Sequence, residues 1–258
     1  MENGSALQSK IPVLKRYILV MRNKNCYNLN RCGRVQRWQN RKNKEYKVKR
    51  EARLGRAFFT VDGLTLAKAL LGKIMVHETP YGRVRAIITE TEAYMGVEDK
   101  GAHTYGGRRT ERTEPMFHIG GTSYVYLIYG MYSCMNVVAA VDGVPQAVLL
   151  RMAEPADEGS REIMLRLRME HQAGRRNFRE QTAKKGVEKH LADGPGRLCI
   201  AMHISRADND IDMVNSRDFY FTEGVEIRPD QIEAGKRIGI DYAEEAADFL
   251  WRFTVKRG

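Results

Sequence analysis

A chain of 258 residues with 43% hydrophobic composition can bury one substantial core, which favours a single globular domain with an appendage over two full domains. The net charge of +11 says little about the globular part, because residues 1–50 alone carry +12 and residues 51–258 therefore carry −1. The four cysteines lack the spacing of a zinc site or a disulfide framework, and the longest apolar run near the N-terminus, Tyr17–Met21, is too short to span a bilayer. We therefore expect no metal, no membrane segment and a reducing compartment.

Residues 1–50 form a basic extension, with 14 Lys and Arg against 2 Asp and Glu and no sustained hydrophobic periodicity. This composition predicts disorder or loose structure. Three interpretations of the segment stay open: nonspecific attraction to phosphates, an organellar presequence, for which it is poor in serine, or an arbitrary upstream extension. Residues 51–258 are predicted to form the folded domain.

Regular elements are predicted from Leu54 onward. Asp62 or Thr65 is expected to cap a short helix that runs to about Leu71. Strands follow at residues 73–77 and 84–94, as two tyrosine-rich strands within 123–139, and at 147–152. The tyrosine-rich strands are expected to join at residues 129–131, where Gly130 supplies the backbone freedom of a tight turn.

The second half of the chain continues the mixture of helices and strands. Its predicted elements are a helix at 157–170, a charged loop-like insertion at 175–189, a chain break at 193–196 before a short helix to 202, a strand at 218–227, a helix at 242–250 and a strand at 251–255. No βαβ regularity and no internal repeat is visible. The order predicts an α+β fold, a single compact domain around a mostly antiparallel sheet with a protruding tyrosine-bearing hairpin.

One predicted strand places two carboxylates beside an aromatic ring. A strand period of two puts Ile88, Glu90, Glu92 and Tyr94 on one face. An edge strand with acids in water is one interpretation, but three apolar residues precede the acids and His103 and an arginine-rich loop follow them. Hydrolysis of a glycosidic bond needs one carboxylate that activates water and faces the developing positive charge, and Glu92 is the candidate for that role.

Residues 124–132 hold four tyrosines in nine positions. Tyr124 and Tyr126 share a strand face, and Tyr129 falls at the turn. A packed sheet face is the simpler interpretation, and a platform for a nucleobase is the alternative. Stacking on a ring contributes ~1–3 kcal/mol and extruding a nucleotide costs a few, so rings on both faces would offset most of that cost. Tyrosine faces favour a cationic base by about 0.5–2 kcal/mol, and an aromatic wedge can fill the gap left in the duplex.

Polar residues also interrupt two apolar strands. Arg151 needs an acidic partner if it is buried, for which Glu92 is available, or else lies on an exposed edge. The amide of Asn136 either contacts a purine edge or satisfies a turn. The stretch of Arg108, Arg109 and Arg112, beside the tyrosine segment, is the best local candidate for contact with DNA, although a solvated loop explains it about equally well.

Four ordered motifs carry a resemblance to a known family: Arg53-Leu-Gly-Arg-Ala-Phe-Phe59, Thr89-Glu-Thr-Glu-Ala-Tyr94 followed by Glu98-Asp99 and His103, Tyr124-Val-Tyr-Leu-Ile-Tyr-Gly-Met-Tyr132, and Cys134-Met-Asn136. From about Leu54 to Val255 the chain closely resembles the alkyladenine (3-methyladenine) DNA glycosylases. The first 50 residues and the insertion at 175–189 lie outside the part that can be matched securely.

The resemblance implies a role for each candidate residue. Those assigned to hydrolysis are Glu92, which activates the water, Arg151, which helps to hold it, and Ile238, whose backbone carbonyl contacts it. Those assigned to the flipped base are Tyr94 and His103, which sandwich it against Tyr126, and Asn136 in the pocket wall. Those assigned to the duplex are Tyr129, inserted through the minor groove, and Arg108, Arg112 and Arg197 near phosphates.

The same resemblance implies a monofunctional enzyme that flips alkylated or deaminated purines out of double-stranded DNA, the first step of base excision repair. Neither metal nor cofactor is implied, and a monomer is expected. The location would be cytoplasmic in a bacterium and nuclear in a eukaryote. Two alternatives from other classes remain: a damaged-DNA binding module that has lost hydrolysis, and a different hydrolase or transferase acting on a small molecule.

Overall fold

The computed structural model describes residues 52–128, 130–173 and 180–256. The predicted basic extension at 1–50 lies outside the described residues, as does Tyr129 at the hairpin tip. Within them, eight strands form one sheet, and every pairing between the strands is antiparallel. The prediction of an α+β fold around an antiparallel sheet is confirmed.

The strands follow the order β3-β4-β5-β2-β1-β6, and β8 pairs with both β2 and β7. Their bounds are β1 Ile74–Thr79, β2 Gly82–Tyr94, β3 Ser123–Ile128, β4 Tyr132–Ala139, β5 Gln146–Pro155, β6 Phe219–Thr222, β7 Ile232–Gly235 and β8 Arg252–Val255. β6 is shorter than the predicted strand at 218–227. Its ladder with β1 ends where Ile74, the first residue of β1, pairs with Thr222, and the Val225 amide then donates to the carbonyl oxygen of Gly72 at 2.8 Å.

The position of β2 decides the environment of the two acids. Between Glu90 and Glu92, β2 pairs with β5 on one side and with β8 on the other. The register shifts on both sides of Glu90, which marks a bulge there. Because neighbouring strands cover both sides of this stretch, the interpretation of an exposed edge strand is wrong.

Five α-helices surround the sheet within the described residues: α1 Arg56–Phe59, α2 Gly63–Ala69, α3 Glu158–Ala173, α4 Glu180–Lys189 and α5 Pro195–Ala201. Asp62, rather than Thr65, caps α2, since its side chain accepts a hydrogen bond from the Thr65 amide. α2 packs on β2, and α5 packs on β4 and α3. Leu66 and Leu198 are fully buried in the resulting core and fix β2 and β4, the strands that carry the candidate site.

Two predicted elements differ from the structure. Residues 180–189 form a helix rather than a loop, because Val187 is buried against the core and anchors a helix whose other positions are mostly charged. The predicted helix at 242–250 is reduced to a 3₁₀ turn at Glu244–Asp248, which follows from the positive φ of Glu244 and the extended backbone at Phe249. The helices predicted at 157–170 and before 202 are confirmed.

The hairpin of β3 and β4 closes with Ile128 opposite Tyr132. Gly130 has a φ of +67°, the left-handed conformation that the turn was expected to need. Met131 beside it is 70% exposed, although methionine is among the residues most often buried in protein cores. The hairpin therefore presents an apolar tip to solvent.

Candidate active site

A cavity of about 350 Å³ opens beside the hairpin, within the range of small-ligand sites. Its lining residues come from β2, β3, β4 and β5, from the start of α5 and from the loops around 101–116 and 238–242. Those predicted from the sequence are Tyr94, His103, Arg112, Tyr126, Asn136, Arg151 and Ile238. The topology thus brings together side chains that are up to about 140 residues apart in the chain.

Glu92 is completely buried behind this cavity, where two hydrogen bonds and an ion pair hold its carboxylate. Its Oε1 accepts from the Ile238 amide at 2.8 Å and pairs with Nη1 of Arg151 at 3.1 Å, while its Oε2 accepts from the Tyr94 hydroxyl at 3.0 Å. Burial raises the pKa of Glu92 above its ordinary value, and the charge of Arg151 is the largest opposing influence. The site therefore holds a carboxylate that is fixed in orientation and a better base than one in water.

Arg151 joins the two acids. Its Nε donates to Glu90 Oε1 at 3.1 Å while its Nη1 lies on Glu92, and only 12% of the side chain is exposed. Glu90, also buried, accepts a second hydrogen bond from Nη1 of Arg252 at 3.2 Å. Arg151 thus has the acidic partner expected of a largely buried cation, and it lies in β5 between β2 and β4 rather than at an exposed edge.

The aromatic side of the cavity consists of Tyr94, His103, Tyr124 and Tyr126. His103 packs edge-on against Tyr126, with ring centroids 4.7 Å apart and planes at 76°, and its Nδ1 is 2.9 Å from the Tyr124 hydroxyl. Burial lowers the pKa of His103 to about 4, and Arg112 and Arg108 add to the effect. The imidazole is therefore neutral at physiological pH, and the structure places it across the edge of Tyr126 rather than parallel to it.

Asn136 is buried in β4 and donates from Nδ2 to the carbonyl oxygen of Tyr124 at 3.1 Å. This bond ties the amide to the neighbouring strand and fixes its orientation. Leu149, paired with Asn136 across β4 and β5, lines the cavity next to it. The two residues lie side by side in the cavity lining, and the pocket-wall role that the resemblance implies for Asn136 stays a prediction.

The three predicted phosphate-binding arginines are all exposed but have different surroundings. The Arg112 guanidinium lies 5.1 Å from the centroid of the Tyr126 ring and lines the cavity. Arg112 is therefore part of the cavity itself, closer to the base-binding residues than a contact with a DNA phosphate would need. Arg197, in α5, pairs with Asp193 at 2.8 Å. Arg108 follows a 3₁₀ turn on the His103 loop and adds to the positive field at that ring.

Three residues in or directly behind the site carry no sequence pattern that predicts a role. Tyr242 lines the cavity mouth and is 69% exposed, and Asp99 forms a buried ion pair with Arg237 directly behind Tyr94. Tyr242 stands at the start of a segment predicted to be helical, and nothing in the sequence there indicates a place in the cavity. The ion pair joins positions 138 residues apart, and no local pattern reveals such a pairing.

Comparison with known proteins identifies the chain's relatives. The family model described as methylpurine-DNA glycosylase matches residues 57–258. Curated relatives named "Putative 3-methyladenine DNA glycosylase" include those of Clostridium acetobutylicum, 48% identical over 79% of this chain and 94% of the relative, and Desulfitobacterium hafniense, 47% identical over 79% and 95%. The relative of Clostridium perfringens is 45% identical over 79% and 96%.

These matches define the class of protein as a DNA glycosylase, a DNA repair enzyme that hydrolyses N-glycosyl bonds. The chain belongs to the methylpurine-DNA glycosylase family. The resemblance inferred from the four motifs is thereby confirmed. Among the described residues, no helix is long and apolar enough to cross a membrane, and no three His, Cys, Asp or Glu side chains cluster as metal ligands.

Proposed function

We propose that the chain is a monofunctional glycosylase that flips alkylated or deaminated purines out of duplex DNA and releases them with a water activated by Glu92. The substrates would be 3-methyladenine, 7-methylguanine, hypoxanthine and etheno-adenine. The observation that carries the proposal is the buried Glu92 carboxylate, which is held by two hydrogen bonds and an ion pair from Ile238, Tyr94 and Arg151. Those three partners line the cavity, so the carboxylate lies directly behind its wall.

The chemistry of Glu92 follows from its surroundings. As the bond to the purine lengthens, the sugar gains positive charge, which a buried carboxylate stabilises more strongly than one in water. The same group accepts a proton from the attacking water, for which its raised pKa suits it. Arg151, and by analogy with the family the carbonyl of Ile238, would hold that water beside Glu92.

The aromatic residues would bind the flipped base. Tyr94 and Tyr126 offer ring faces to a purine, with His103 closing the platform and Asn136 and Leu149 forming the discriminating wall. Because the lowered pKa of His103 keeps its ring neutral, it does not repel the cationic 3-methyladenine or 7-methylguanine. Stacking then favours a positively charged base over its neutral parent.

The duplex would be held mainly by exposed cations and by the hairpin. Arg108, Arg112 and Arg197 are the proposed contacts to phosphates, and Tyr129 the residue that enters the minor groove. Each of these contacts can form from one protein molecule, so we propose that the chain acts as a monomer.

The proposal is tested by single-turnover release of base from a duplex with one hypoxanthine or etheno-adenine, read by alkaline cleavage at the abasic site. Release from the lesion duplex, and none from the undamaged duplex, is expected. Tight binding to the lesion without release would instead identify a damaged-DNA binding module. Strand cleavage without alkali would contradict a monofunctional mechanism.

Tyr126→Ala is expected to weaken binding to an etheno-adenine duplex, because a stacked ring contributes ~1–3 kcal/mol, or about 5- to 150-fold in affinity. Affinity for the undamaged duplex should change little, since the loss concerns the flipped base. The matched control is Tyr126→Phe, which keeps the ring and removes only the hydroxyl. Equal affinities of the two variants for the lesion would exclude Tyr126 as a stacking platform.

Tyr129→Ser is expected to weaken binding of lesion duplex more than binding of the same lesion in a single strand. A wedge replaces stacking lost inside a duplex, and a single strand has no such gap to fill. Titrations of both substrates with the parent and the variant check this. Met131→Ser, which changes an exposed apolar neighbour on the same tip, is the control for simple loss of apolar surface.

A further inference from the structure

A completely buried ion pair lies directly behind the proposed base-binding ring. Arg237 Nη1 and Nη2 contact Asp99 Oδ2 and Oδ1 at 2.5 and 2.8 Å, and neither side chain is exposed. The two parallel contacts form the bidentate geometry that only arginine provides. A charge pair removed from water needs further partners for its remaining donors and acceptors, and these partners show what the pair connects.

The first connection is to the end of β2. Arg237 Nη1 also donates to the carbonyl oxygen of Ala93 at 3.0 Å, between Glu92 and Tyr94. Its guanidinium lies over the Tyr94 ring, 4.8 Å from the ring centroid. It is also 4.8 Å from the ring centroid of Trp251, the residue just before β8. The guanidinium therefore supports the face of Tyr94 from behind and fixes the backbone beside Glu92.

The second connection is to the loop that carries His103. Asp99 accepts hydrogen bonds from the amides of Met95 at 3.0 Å and Gly101 at 2.9 Å. Gly101 lines the cavity, and a Cβ at that position would lie 3.0 Å from Nη2 of Arg237. The Asp99 carboxylate thus folds the loop tightly onto the guanidinium, two residues before His103.

The third connection is to the loop that supplies the backbone donor to Glu92. Arg237 immediately precedes Ile238, whose amide donates to Glu92 Oε1. Arg237 Nη2 further donates to the carbonyl oxygen of Ala246 at 3.1 Å, which closes the loop of residues 237–246 on itself. Movement of the Arg237 side chain would therefore move the Ile238 amide relative to Glu92.

We propose that Arg237 and Asp99 are positioning residues. Their buried ion pair, called the junction below, holds Tyr94, the His103 loop and the Ile238 amide in fixed positions around Glu92. This inference rests on the proposed role of Glu92. It assigns to the pair control over how strongly Glu92 is held as a base and over how the flipped base is stacked. A core ion pair with a purely structural role would affect folding but neither of these properties.

The test uses Arg237→Lys, which keeps the charge and loses the bidentate contact. The matched control is Arg56→Lys, which alters a partly buried pair with Asp212 that lines no part of the cavity. The rate of hypoxanthine release is measured against pH for both variants and the parent, and folding is followed by thermal unfolding. The groups that face Glu92 and set its titration are Arg151, Tyr94, Glu90 and the Ile238 amide.

For Arg237→Lys we expect the acid limb of the pH–rate profile, where the rate falls as Glu92 is protonated, to move to higher pH. Base release at neutral pH should be at least about tenfold slower, a loss typical of a misplaced catalytic group. The displacement follows because the Ile238 amide lowers the pKa of Glu92, so its withdrawal raises that pKa. Arg56→Lys should keep the parental limb. Arg237→Lys that folds and titrates like the parent would overturn the inference.

A milder variant keeps the test decisive if Arg237→Lys does not fold. Trp251→Phe removes part of the ring support beneath the guanidinium without touching the cavity lining, and should displace the acid limb in the same direction by less. Glu92→Gln in the parent background separates the two hypotheses. If Glu92→Gln still released base, the proposed role of Glu92 would be wrong. If Glu92→Gln were inactive while Trp251→Phe kept the parental pH–rate profile, only the positioning role of the ion pair would be rejected.

Discussion

Glu92→Gln is expected to reduce the single-turnover rate of base release by about 10²–10⁴-fold, the usual contribution of a positioned general base. Glutamine keeps the size of the side chain and can still accept from the Ile238 amide, but it cannot take a proton from water or face the sugar with a negative charge. Arg151 keeps Glu90 as its partner, so the fold should survive. Binding to the lesion duplex is expected to remain, because the aromatic platform is untouched.

The control for this substitution is Glu90→Gln. Glu90 shares Arg151 with Glu92 and also accepts from Arg252, and within the described part of the chain its side chain has no hydrogen bond or ion pair with Tyr94 or Ile238. Its removal should therefore cost much less rate than removal of Glu92. Equal losses for the two variants would mean that the pair acts through Arg151 rather than through Glu92 as a base, and parental release by Glu92→Gln would reject the mechanism.

The residues that sequence patterns revealed are those whose signal is local. Strand alternation placed Glu92 and Tyr94 on one face, and the structure joins them by a hydrogen bond. The polar interruption at Arg151 predicted an acidic partner, because a buried cation in a strand needs one. Glycine in the hairpin turn was likewise predictable from the backbone conformation that a tight turn demands.

Features that depend on distant packing could not be predicted in the same way. The bulge at Glu90 lies where β8 replaces β1 as the partner on one side of β2, and no property of β2 alone specifies it. Helix α4 has too few apolar positions for periodicity to indicate it, and its stability comes from Val187 and the core beneath. The pairing of Arg237 with Asp99 is a property of the folded chain only.

Arg151→Gln is expected to destabilise the fold by ~3–5 kcal/mol at neutral pH, because it leaves two buried carboxylates without their shared cation. The loss should be smaller in acid. Without Arg151 the pKa of Glu92 in the folded state rises further above its ordinary value, since burial is then less opposed. The folded state then binds more protons than the unfolded state between those two values, so stability falls as pH rises through that window. Urea unfolding at a series of pH values measures this slope.

The same substitution has a predicted effect on activity that separates charge from folding. Base release requires ionised Glu92, so the acid limb of the pH profile should move to higher pH in Arg151→Gln. Arg252→Gln is the matched control: Arg252 pairs with Glu92 through the β2–β8 backbone, but its guanidinium contacts Glu90 and forms no hydrogen bond or ion pair with the Glu92 carboxylate among the described residues. It should lose some stability and leave the acid limb in place. An unmoved limb in Arg151→Gln would show that Arg151 does not govern the charge of Glu92, whereas a shift in both variants would assign the effect to the field of Glu90.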